Sequence, residues 1–188
     1  MEILKKEITE LIKDMQKELF ETEGKGWFRI ISGSMSPLIE INDKVLVKKI
    51  SHSEIKLGDV VLFRQDGVFV THRVIKLSKL NGRPMILQKG DASNHASWIP
   101  LDDVVGKVVT IEKEGKCIDL DSKQGRVING FFGLKNNISY HLALHISPIK
   151  QHLRDKPGFL FLRFFYRILS NSVRFINNIM LRFLTKTT

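Results

Sequence analysis

Between Trp27 and Leu120 the apolar residues fall in short, β-branched runs broken by turn residues, whereas on either side they recur at three- and four-residue intervals. The runs are "WFRII", "KVLVKKI", "DVVLF", "VFVTHRVI", "PMILQ", "DVVGKVVTIE" and "KCIDL". Runs of this length and composition predict strands of an antiparallel β domain. The clearest hairpin joins "GDVVLFR" to "VFVTHRVI" through Asp66-Gly67, a dipeptide that accepts the positive φ angles of a two-residue turn. Along its second arm Val68, Val70, His72 and Val74 share one face, and Phe69, Thr71, Arg73 and Ile75 the other. His72 is therefore expected to point with the valines, toward packed surface.

The first twenty residues place Leu4, Ile8, Leu11, Ile12, Met15 and Leu19 at helical spacing, with Lys and Glu opposite, and Gly24 and Gly26 end the pattern. No apolar run there exceeds two residues, so this amphipathic helix is neither a bilayer span nor a signal-peptide core. It is also too short and solitary for a helix-turn-helix DNA reader. Beyond Leu120 the pattern predicts short helices up to Pro157-Gly158 and then a longer amphipathic helix. The expected organisation is an N-terminal helix over 1–24, a β-rich domain over 27–120, short helices over 121–157 and a helical tail over 159–188. The fold class is mainly β, with helical appendages at both ends.

A chain of 188 residues with 43% hydrophobic composition can bury a substantial core. Its one cysteine, Cys117, excludes an internal disulfide and a cysteine-based zinc site, and within "GKCIDL" it reads as a small buried residue. The net charge of +10 is local, since residues 121–188 hold eleven Lys/Arg against two Asp/Glu. Within 159–188, Arg163, Arg167 and Arg174 line one helical stripe with Ser170, Asn171 and Asn177, opposite phenylalanines and aliphatics. Each arginine would cost about 2.5–3.5 kcal/mol at a bilayer centre, so the stripe predicts a helix lying in an anionic membrane surface, or one packed on its own domain, rather than a span. Nucleic acid fits less well, because no row of stacking aromatics accompanies the cations. His141 and His145 stand one helical turn apart without a third ligand, so neither metal nor cofactor is expected.

The segment "ISGSMSP" sets Ser32, Ser34 and Ser36 around Gly33 between a helix and a strand. Such residues make ordinary turns. They also suit a nucleophile at a tight bend, provided a base exists elsewhere. A histidine among valines is by itself most simply a core residue bonded to a carbonyl. With Lys89-Gly90-Asp91 in "QKGDASN" supplying a carboxylate at a tight loop after the next strand, Ser34, His72 and Asp91 form a candidate nucleophile, base and orienting acid.

Taken in order, "SGSMSP", "GDVVLF", "THRVI", "KGDASN" and "DVVGKVV" resemble the type I signal peptidases over residues 30 to about 110. The resemblance implies a partly closed β fold and serine endopeptidase activity that removes leader or signal peptides after small residues. It implies Ser34 as nucleophile, His72 as general base, and the Ser34 N–H with the Ser32 hydroxyl as oxyanion donors. A histidine base is similar to the Ser-His branch of the endoplasmic reticulum and archaea, whereas most bacterial members use lysine. That branch carries an aspartate pair a few residues after the K-G-D box, where this chain reads "ASNHASW". The orienting role then falls to Asp91, to Asp102 or Asp103, or to none, leaving a Ser-His dyad. A membrane segment usually precedes the serine box; the soluble helix here predicts instead a domain on the cytoplasmic side, with the basic C-terminal tail as its peripheral attachment to a membrane. A self-cleaving intracellular regulator or a catalytically idle β scaffold binding a membrane surface are the other readings.

Overall fold

In the computed structural model, residues 20–93 and 95–153 are described, with side chains followed as far as Leu144. The described residues form eight strands: β1 (Lys25–Arg29), β2 (Lys44–Lys48), β3 (Val60–Gln65), β4 (Val68–Leu80), β5 (Arg83–Lys89), β6 (Ala96–Pro100), β7 (Val104–Lys113) and β8 (Lys116–Asp119). A long helix, α1 (Lys123–Leu153), follows them. The fold is mainly antiparallel β, as the run lengths predict. β6 is an additional edge strand in the stretch "ASWIP", which carries too little apolar alternation to announce itself.

All strands join one sheet in the order β1-β2-β7-β3-β4-β5-β6, with β8 beside the far end of β7. β7 sits between β2 and β3 and thereby ties the two ends of the chain's β region together. Asp66 and Gly67 adopt φ of 49° and 78° at the β3–β4 turn, and the same left-handed pair recurs at Asn81-Gly82 and Glu114-Gly115. These turns match the right-handed twist of the arms they connect. The sheet curls. Phe28 on β1 and Phe69 on β4 meet edge to face with ring centroids 6.0 Å apart, whereas four flat inter-strand steps would separate them by about 19 Å.

Both faces of β3 are covered, which explains its uninterrupted "VVLF". Val60 and Leu62 enter a core with Met35, Leu38, Ile39, Val45 and Phe132. Val61 and Phe63 enter a second core with Val74, Ile86 and Ile99. The sequence pattern divides residues 121–157 into short helices, but one helix of 31 residues runs from Lys123. Ser122 begins it, its hydroxyl accepting the Gly125 N–H at 2.9 Å. Two of the helix's three glycines mark close contacts instead of breaks: a Cβ on Gly133 would lie 2.8 Å from the Gly58 Cα, and one on Gly125 would overlap the Asp119 carbonyl.

Of the helix expected over 1–24, the described part is its last turn, where Phe20 is buried against Phe28 and Gly24, at φ 65°, closes the helix onto the Phe20 carbonyl. Residues 1–19 and the basic tail over 159–188 lie outside the described residues. Among the described residues no helix is long and apolar enough to cross a membrane. Cys117 departs from expectation: on β8 it stands opposite Glu112 and is exposed, while Ile118 beside it takes the face that packs against the first core.

Candidate active site

The serine segment is a turn whose apolar residues anchor it from below. Met35, Leu38 and Ile39 are buried in the first core, while Ser32 and Gly33 are exposed and Ser34 is half-buried. Two bonds hold the bend: the Ser36 N–H to the Gly33 carbonyl at 3.1 Å, and the Ala92 N–H to the Ser34 carbonyl at 2.9 Å. The second ties the serine turn to the loop after β5. The two segments meet closely enough that a Cβ on Gly90 would sit 2.7 Å from the Ser34 carbonyl oxygen and 3.1 Å from His72 Nε2. Gly90 is therefore required by packing. A Cβ on Gly33, by contrast, would meet nothing within 4 Å, so that glycine leaves open the approach to Ser34.

His72 lies on β4, opposite Val61 of β3 and beside the ring of Phe63. Its place on the valine face brings Nε2 to 3.1 Å from Ser34 Oγ. Ser32 Oγ is 3.4 Å from Ser34 Oγ. Three of the residues named from the sequence thus converge. Burial is the largest influence on the imidazole and lowers its pKa below the ordinary 6.5; contact with Gln88 and the charge of Asp91 oppose this, and the charge of Lys89 adds to it.

Asp91 stands elsewhere than the sequence reading expects. Its carboxylate is buried on the opposite face, where Arg73 Nε donates to Oδ1 and Arg73 Nη2 to Oδ2, each at 2.7 Å. Asn136 of α1 also donates to Oδ1. Asp102, with an 89% exposed side chain, faces His52 at 3.8 Å, and Asp103 is exposed beside it. The atom facing His72 Nδ1 is Gln88 Oε1, at 2.5 Å. An amide oxygen only accepts, so Nδ1 carries the hydrogen and Nε2 is left to accept from the Ser34 hydroxyl.

The sequence held a signal for this arrangement in strand parity. The β4–β5 register pairs Arg73 with Lys89 and Val74 with Gln88. Residues 72, 74, 88 and 90 then share one face of the sheet, and residues 73 and 89 the other. Arg73, with no exposed surface, becomes the centre of a buried polar layer under α1. Its Nη1 donates to the Gly58 carbonyl and to Asn129 Oδ1, and its guanidinium lies 5.3 Å from the Phe132 ring centroid. Lys89, 2% exposed, donates to Asn136 Oδ1 at 2.8 Å, and burial pushes its pKa down to about 8.

No protein-family profile matches the chain. Among curated proteins it is similar to "Signal peptidase I W" of Bacillus subtilis (strain 168), with 36% identity over 76 residues. That alignment covers 39% of this chain and 40% of the relative. The similarity supports a relationship to the type I signal peptidases.

Proposed function

We propose that the chain is a signal-peptidase-like serine endopeptidase that cuts leader or signal peptides after small residues. The observation carrying this reading is the 3.1 Å contact between Ser34 Oγ and His72 Nε2. A serine hydroxyl is almost wholly protonated at neutral pH, so it attacks a peptide carbonyl only if a base takes its proton as the new bond forms. His72 Nε2 accepts that proton. The Ser34 N–H and Ser32 hydroxyl hold the oxyanion; losing one such donor costs about 10²- to 10³-fold in rate. Collapse of the tetrahedral intermediate breaks the C–N bond, and the imidazolium returns its proton to the leaving amine. A water molecule then attacks the acyl ester, gives its proton to Nε2, and Ser34 is released as the hydroxyl.

A histidine base aligns the chain with the Ser-His branch of the family. Asp91 contributes at one remove, through its charge and through the loop that carries Gly90. The basic tail places the enzyme at an anionic membrane surface, on the cytoplasmic side, as a peripheral protein. The direct test compares the parent with Ser34→Ala and His72→Ala on peptides containing an Ala-x-Ala site. The expected result is cleavage by the parent alone, with an acid limb of kcat/KM below pH 6.5, because the lowered pKa keeps the basic form of His72 available to lower pH. Equal cleavage by all three proteins would overturn the assignment.

A further inference from the structure

The proposed serine chemistry leaves the second imidazole nitrogen to be accounted for, and among the described residues no carboxylate contacts it. Both Asp91 oxygens are bound by Arg73, and Asp102 lies at the surface beside His52. Gln88 takes that place. It is 4% exposed, its Oε1 meets His72 Nδ1, and its Nε2 donates to Ser97 Oγ at 2.5 Å. Ser97 is the residue paired with Gln88 across the β5–β6 ladder, so the contact comes from the sheet and not from a loop.

We propose that Gln88, its amide nitrogen bonded to Ser97, is the positioning residue for His72, in the place where serine peptidases commonly hold a carboxylate. Its carbonyl oxygen keeps the hydrogen on Nδ1 and the lone pair on Nε2, the tautomer that can take the Ser34 proton. Rotating the amide by half a turn would aim an N–H at Nδ1 and drive the imidazole hydrogen to Nε2, where it would block the transfer. In the observed orientation Ser97 Oγ accepts from the amide nitrogen and holds the side chain in place beside the ring.

A neutral amide orients the ring without a full countercharge for the imidazolium. The charged groups around the ring are Asp91, which favours the imidazolium, and Lys89, which opposes it. Arg73, adjacent on β4 and bonded to both oxygens of Asp91, offsets that carboxylate. Placing a carboxylate directly on Nδ1 therefore makes His72 more basic, and removing the acceptor frees its tautomer.

This inference rests on the peptidase reading, and its test keeps the two apart. Full-length parent, Gln88→Leu, Gln88→Glu, Ser97→Ala and Ser34→Ala are assayed on Ala-x-Ala peptides for kcat, KM and pH dependence. In parallel, ¹⁵N–¹H NMR reads the His72 tautomer. Expected are a loss in kcat of about 10²-fold for Gln88→Leu with KM unchanged, a smaller loss for Ser97→Ala, and an acid limb moved to higher pH in Gln88→Glu. The Nδ1–H tautomer should dominate in the parent and in Ser34→Ala and become mixed in Gln88→Leu. Parental kcat and pH profile in both Gln88 variants, or an Nε2–H tautomer in the parent, would overturn the role of Gln88. Cleavage that persists undiminished in Ser34→Ala would overturn the peptidase reading, with the tautomer measurement still deciding whether Gln88 orients the ring.

Discussion

Gly90 and Lys89 are neighbours with opposite demands on the chain. Gly90 has no room for a side chain, since any Cβ presses on the Ser34 carbonyl oxygen at 2.7 Å and on His72 Nε2. Gly90→Ala should therefore fold, with a circular dichroism spectrum like the parent's, yet separate Ser34 from His72. A displacement of about 1 Å in such a site costs on the order of 10² in rate, so peptide cleavage should fall by at least that factor. Lys89 instead buries an ammonium group. With its pKa lowered from 10.5 to about 8, the unfolded chain binds the extra proton between those values, and stability should rise with pH across that window. The full relief amounts to about 3 kcal/mol, from roughly 1.4 kcal/mol per pKa unit. Urea titrations at pH 8 and 10 should show a gain in the parent that Lys89→Met lacks.

At the scale of elements, α1 is docked by polar groups as well as apolar ones and exposes further apolar residues. Asn129 and Asn136 are buried and Phe132 lies between them on the same face, whereas Val127, Leu134, Ile138 and Leu142 are exposed. The inward face adds Ile128 and Phe132 to the first core and meets Arg73, Asp91 and Lys89 through Asn129 and Asn136, so hydrogen-bonding capacity and apolar burial select it together. Breaking a buried pair by removing one partner costs about 3–5 kcal/mol, because it strands the other charge. Asp91→Leu should thus lower stability by that order and disturb the Gly90 loop, and Arg73→Met in the same chain should restore much of it. A thermal melt of the double variant no better than the single one would show that Asp91 acts otherwise than through Arg73. Parity along β4 put His72 and Arg73 on opposite faces, but only the β4–β5 register set Lys89 beside Arg73, and the pattern over 121–157 did not show which face of α1 docks. A hydrophobic pattern carries no information about a buried ionic layer on the partner surface.

For the whole molecule, the charge excess concentrated after residue 120 bears on which surfaces the protein meets. Residues 159–188 hold four arginines and one lysine without an acidic residue. Sedimentation with anionic vesicles should be strong for the full chain, weakened by raised salt, and lost when residues 158–188 are deleted. Peptide cleavage in solution should survive that deletion, since Ser34, His72 and Gln88 all lie on the sheet or the turn beside it. Unchanged vesicle binding by the truncated protein would remove the tail from the account.

By itself the sequence determined the strand-forming stretches and the left-handed turn at Asp66-Gly67, because period-two alternation and turn chemistry are local properties; the grouping of Ser32, Ser34 and His72 was an expectation carried by the resemblance of the ordered boxes. Tertiary structure decided which polar partner each buried group received. Asp91 went to Arg73, Gln88 to His72 and Asn136 to Lys89. That choice depends on sheet register, on the curl that closes β1 toward β4, and on a helix arriving from a distant part of the chain. A buried polar atom must find a partner within about 3 Å. Only the folded chain fixes which atom stands that near.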